Sequence, residues 1–185
     1  IDLLLILVIG LGLGGLLSRV SIENNLGFGA KTIGQWTAWP EAGSRDADPY
    51  TKAKVATDGD IPLGAAEGIA FHGRQDNRGE KLDLNCTYTI SGRTPPARLW
   101  TLTAHKPDGD VVRTPSGGPA TLTSRSILRK TDGTFTVRIS PALTGGNWLE
   151  TSGEGPFEFI MRLYDTQISG TAGLGNPKMP AIALD

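Results

Sequence analysis

The chain has 185 residues and a mass of 19.6 kDa, room for one domain with a real core and a small appendage. With 38% hydrophobic and 20% charged residues, it is neither a multi-span membrane protein nor a disordered acidic chain. A net charge of −1 leaves no basic surplus to neutralise a phosphate backbone, which argues against nucleic-acid binding.

The 25 Gly and 12 Pro are too many for a helical bundle and suit short strands joined by turns. The single cysteine, Cys86, can form neither an intrachain disulfide nor a Cys-rich zinc site. The first residue is Ile1, so a short, more basic segment is expected upstream.

Residues 3–17 contain only Leu, Ile, Val and Gly. As a helix this run would be about 22 Å long. Adding residues 18–22, with Arg19 snorkelling, brings it near the roughly 30 Å of bilayer hydrocarbon. Gly10 and Gly14 form a G-x-x-x-G pair that lets two such helices approach closely. A rival reading takes Gly10, Gly12 and Gly15 as the G-x-G-x-x-G of a dinucleotide loop. Its context fails. Where a ribose-binding carboxylate belongs stand Thr32, Ile33 and Gly34, and no second parallel strand follows. A cleaved signal peptide is the third option, without a clear small-x-small cleavage site. Asp2 before the run and Arg19 and Lys31 after it do not fix an orientation.

Residues 1–22 are therefore expected as a transmembrane anchor and 23–47 as a juxtamembrane linker. Trp36 and Trp39 in that linker suit either a membrane interface or a cover over the folded domain. A domain at 48–170 and a tail at 171–185 follow. Asp48-Pro49 is a helix start, Asp as N-cap and Pro as first helical residue, and Asp58-Gly59 stops a two-turn helix.

From Ala65 onward the period is two. Leu84, Cys86, Tyr88 and Ile90 share one face; so do Trp100, Leu102 and Ala104; Phe135, Val137 and Ile139; and Phe157, Phe159, Met161 and Leu163. Turn residues separate them, among them Asp108-Gly109, Asp132-Gly133 and Gly145-Gly146. A last strand is expected at Ala181–Leu184. The expected fold is mainly β: an antiparallel β-sandwich of jelly-roll character with a short helix, preceded by one N-terminal transmembrane helix.

Several segments carry a family resemblance. They are Asp48-Pro49-Tyr50-Thr51-Lys52-Ala53, Pro62-Leu63-Gly64-Ala65-Ala66-Glu67-Gly68, Tyr88-Thr89-Ile90-Ser91-Gly92 and Pro95-Pro96-Ala97-Arg98-Leu99-Trp100. Later come Asp132-Gly133-Thr134, Asn147-Trp148-Leu149 and Arg162-Leu163-Tyr164. Over residues 32–165 this order resembles the bacterial domain-of-unknown-function 1214 family, in particular its small members with one N-terminal membrane helix. The resemblance implies a jelly-roll-like sandwich and a companion integral membrane protein related to the 1254 domain family. It implies no established activity and brings no catalytic residues. Leu99 stands where an aromatic is common, a mild departure.

His72 and His105 lack any metal-ligand spacing and are expected on the surface or in loops; either could meet Glu67 in space. No G-x-S-x-G exists. Glu150, Glu154, Glu158 and Asp165 are close in sequence and are expected on solvated loops and strand faces. Glu67, Arg98, Asn147 and Arg162 are the polar residues that stand out, as ligand contacts or as half-buried structural groups. Trp100 and Trp148 are expected as core or rim, with a sugar platform as the alternative. No cofactor or metal is implied.

Together these features point to a membrane-anchored accessory domain of a bacterial inner membrane, single-pass, with the β domain in the periplasm. Its partners would be the bilayer and a membrane protein or envelope ligand. The alternatives are a carbohydrate-binding or carbohydrate-active domain and, remotely, an oxidoreductase using Gly10, Gly12 and Gly15.

Overall fold

A computed structural model describes residues 2–23, 29–58, 61–64, 66–168 and 177–185. Expectations that fall on Asn24, Asn25, Gly27, Gly59, Ala65 and the Gly-rich stretch 170–176 lie outside the described residues.

The apolar run forms helix α1, Asp2–Glu23, 22 residues, and residues 3–9, which a dinucleotide loop would need as a strand, are part of it. Gly10, Gly12 and Gly15 lie inside that continuous helix. A dinucleotide loop needs a strand, a tight turn and a fresh helix N-terminus, so the oxidoreductase alternative is overturned. Side chains 4–17 are all exposed. Among the described residues no helix is long and apolar enough to cross a membrane; the described apolar sleeve of α1, residues 4–17, covers about 21 Å.

Helix α2, Pro49–Asp58, starts where Asp48 predicts. The Asp48 carboxylate accepts the backbone N–H of Tyr50 at 2.9 Å and of Thr51 at 3.0 Å, and the Thr51 hydroxyl as well. α1 meets the rest of the chain at α2.

Ten strands follow from short β-forming runs. They are β1 Lys31–Ile33, β2 Trp36–Ala38, β3 Gly68–Gly73, β4 Tyr88–Gly92, β5 Leu99–His105, β6 Thr121–Thr123, β7 Phe135–Ser140, β8 Asn147–Glu150, β9 Glu158–Tyr164 and β10 Ala181–Leu184. They form a six-stranded sheet, β1-β2-β3-β9-β5-β6, and a four-stranded sheet, β10-β4-β7-β8. Every pairing is antiparallel except β7 with β8, which is parallel.

One core takes side chains from both sheets. Trp36, Phe71, Trp100, Leu102, Phe159, Met161 and Leu163 come from the larger sheet; Tyr88, Ile90, Val137, Ile139, Leu149 and Ile182 come from the smaller. The sheets approach closely at Gly73, where an added Cβ would lie 2.6 Å from Ile182 Cδ1. The Trp36 indole N–H donates to the Pro180 carbonyl at 2.6 Å, tying β2 to the residues that enter β10.

Two local readings change. The stretch expected as a linker contains the β1–β2 hairpin, hydrogen-bonded to β3, and Trp36 is a core residue. The strand expected from Leu84 begins only at Tyr88. Asp83 captures the Asn85 N–H at 2.9 Å, and the Cys86 N–H turns back to the Asp83 carbonyl, so an Asx turn wins over extension.

Candidate functional site

Strand alternation sends Phe71, Leu102 and Phe159 inward, and so places Ala70, His72, Thr101, Thr103, His105, Glu158, Ile160 and Arg162 on the outer face of the six-stranded sheet. This face holds a polar constellation around Glu158. Glu158 lies between two side chains of β3 and its continuation: His72 Nδ1 is 3.3 Å from Oε1, and the Arg74 guanidinium Nε is 2.6 Å from Oε2. Trp39, just past β2, closes the group. Its ring meets the His72 ring edge-on at 5.5 Å, and the Arg74 guanidinium sits 5.6 Å over it.

The Glu158 side chain is only 18% exposed. Burial alone would raise its pKa. The His72 imidazole and then the Arg74 guanidinium outweigh that penalty and hold the carboxyl down at about 2. The carboxylate is thus a fixed anion that orients His72 and pins Arg74 over Trp39.

The second histidine is buried, 9% exposed. Its Nδ1 donates to the Gly109 carbonyl at 2.9 Å, and Nε2 lies 2.9 Å from the Thr103 hydroxyl. This Thr-His pair closes the β5 turn from inside. Neither histidine is the surface or loop residue expected: both lie on strands, His72 half-buried and His105 buried. His72 meets Glu158 rather than Glu67. No group of three or more His, Cys, Asp or Glu that could hold a metal occurs among the described residues.

Glu150, expected in solvent, is 1% exposed. It accepts the Ser116 N–H at 2.9 Å, the Ser116 hydroxyl at 2.6 Å and the Gly118 N–H at 2.6 Å. Burial pushes its pKa up, and these three donors more than reverse that. With every donor aimed at it from one loop, Glu150 organises residues 116–118.

The residues singled out by sequence fall in separate places. Glu67 is exposed and accepts the Gly64 N–H at 3.2 Å. Arg98, expected half-buried, is 78% exposed and 3.9 Å from the equally exposed Asp165. Asn147 is a structural clasp: its amide joins the Leu128 N–H and C=O and the Thr136 carbonyl. Arg162 lies on the outer face, in register with Ala70 and Thr101. Trp100 is 1% exposed in the core. Trp148 is half-buried at the rim, its N–H bound to the Ser140 carbonyl at 3.0 Å, so neither ring is an open platform. Gly10 and Gly14 have open space where a Cβ would stand.

Sequence reasoning missed Trp39, Arg74 and Glu158 as a group. The one signal available was charge on a strand otherwise buried on both sides, Glu158 followed by Phe-Ile-Met.

Two sheets around one core, antiparallel-rich and with short helices, define a mainly β domain. The chain belongs to the family described as protein of unknown function DUF1214, which matches residues 67–168. In three dimensions it is similar to the VPA0106 protein from Vibrio parahaemolyticus, at 24% identity and a TM-score of 0.60 over 76% of this chain. It is also similar to an uncharacterised protein from Burkholderia cenocepacia, at 15% identity and a TM-score of 0.45, over 79% of this chain and 46% of that one. The chain spans 36% of the length of the Vibrio protein, whose fold over that part it shares. No curated protein matches it.

Proposed function

We propose that the chain is a single-pass, membrane-anchored binding domain of the bacterial inner membrane. The β domain, a jelly-roll-like sandwich, stands in the periplasm and engages an integral membrane partner of the 1254 domain kind or an envelope ligand. The observation that carries this reading is the naked apolar sleeve of α1. Leu4, Ile6, Leu11 and Leu17 are 72%, 69%, 71% and 63% exposed, and the side chains between them are exposed on every side. Burying one such side chain is worth about 1.5–3 kcal/mol, so leaving the whole sleeve in water costs as much as a domain's entire stability. A helix apolar all round is one that lies in lipid or in a large core. The helix runs on beyond the sleeve to about 33 Å, so the sleeve and its flanks, with Arg19 snorkelling, come close to the hydrocarbon thickness. Open space at Gly10 and Gly14 lets two anchors pair. Holding the domain at the surface raises its effective concentration near the partner, which is what a binding module gains from an anchor.

The full chain is expected in the membrane fraction, resisting alkaline carbonate and needing detergent for release. Deleting residues 1–23 should free a folded β domain and abolish co-purification of the partner. An intact chain that stays in solution without detergent would overturn the reading.

A further inference from the structure

The chain enters the six-stranded sheet at the same end at which a basic turn leaves it. Lys31, Ala38, Phe71, Met161, Leu102 and Leu122 form one row across the six strands. β1 starts at this row and runs towards Ile33, opposite Trp36. β6 crosses the row and leaves past it, Thr121 pairing with Thr103 and Thr123 with Thr101. Gly29 and Ala30, which lead into β1, and the loop that follows β6 therefore lie at one end of the sheet. They are five inter-strand steps apart, about 24 Å.

That loop is a rigid turn. The Lys130 N–H donates to the Thr134 carbonyl at 2.8 Å, and the Gly133 N–H donates to the Lys130 carbonyl at 2.9 Å. Arg129 lies over the Phe135 ring at 5.6 Å and the Trp100 ring at 6.0 Å, and donates to the Gly133 carbonyl. Arg93, leaving β4, donates to the Asp132 carbonyl. Arg93, Arg125, Arg129 and Lys130 are exposed, and Asp132 is the one carboxylate among residues 124–134. Between the cations Leu128 points into solvent, 68% exposed. In a chain of net charge −1 this is a local cationic surplus around an exposed apolar side chain.

We infer that this turn is a second lipid contact. It rests on the anionic headgroups of the bilayer that holds α1, with Leu128 reaching the acyl boundary and the four cations meeting phosphates. The inference rests on the anchored reading of α1. A soluble polyanion would use the cations but leave Leu128 idle; a bilayer uses both.

The test uses the full-length chain carrying Cys86→Ser and Leu128→Cys, labelled at residue 128 with a polarity-sensitive fluorophore. The chain is reconstituted into phosphatidylcholine vesicles with or without phosphatidylglycerol. Lipid-borne nitroxide is expected to quench the label in the phosphatidylglycerol vesicles. The quenching should weaken at high salt and be lost in Arg125→Glu/Lys130→Glu, which leaves Arg129 on its rings. A chain that floats with both kinds of vesicle while the label stays unquenched overturns the lipid contact and leaves the anchor standing. A chain that does not float with phosphatidylcholine vesicles at all overturns the anchor itself. A label shielded by heparin but unquenched on vesicles makes the turn a polyanion site and overturns the inference.

Discussion

Glu158 shows how much of one residue's chemistry comes from its neighbours. Alone on a strand it would be a solvated carboxylate; between His72 and Arg74 it stays ionised to a lower pH. Its pKa falls from 4.5 to about 2, so the ionised form stabilises the fold above pH 4.5, and that contribution is lost as pH drops towards 2. The full effect is at most about 3 kcal/mol. Melting temperature followed against pH should fall more steeply for the wild type than for Glu158→Gln across that window, the two curves converging at the acid end. Parallel curves would show that the pair contributes nothing. Gly118 is a second residue whose identity is set by contact. An added Cβ would lie 2.5 Å from Glu150 Oε2 and 2.6 Å from Trp148 Cη2. Gly118→Ala should cost about 1–3 kcal/mol in denaturant unfolding. None of this was legible in the sequence, because Trp39, His72, Arg74 and Glu158 come together only through the pairing of β3 with β9. The residues that looked special for their type, Arg98 and Glu67, proved exposed.

Elements with a strong local signal formed where the pattern placed them. Alternation marked β5, β7 and β9, Gly at positive φ closed the turns at Gly109, Gly133 and Gly146, and Asp48-Pro49 opened α2. Asp48→Ala should therefore cost about 1 kcal/mol in chemical denaturation, with helix content reduced at α2. No loss of stability would mean that packing, not the cap, holds that helix. β1 and β2 escaped notice because three residues are too few to show a period; they are strands because β3 offers them an edge. The parallel partnership of β7 and β8 could not be read either. Gly145-Gly146 signalled a hairpin, but the chain spends residues 141–146 returning to the start of β7, where the Asn147 amide fastens it to Leu128 and Thr136.

At the scale of the molecule, a mainly β domain and the family were both legible, since composition, turn spacing and ordered motifs are global properties. The arrangement of the strands was not. β9 sits between β3 and β5, although β3 precedes it by most of the domain and Ile69 waits for Leu163. That wait has a consequence for synthesis. A ribosome has made residues 74–157 after β3 before the larger sheet can receive its middle strand, and such distant pairings form slowly. α1 is made before every strand of the domain, so it is complete while the strands behind it are still unfolded. Mutations in β9 should accordingly leave α1 formed and the domain behind it incompletely folded, open to proteolysis.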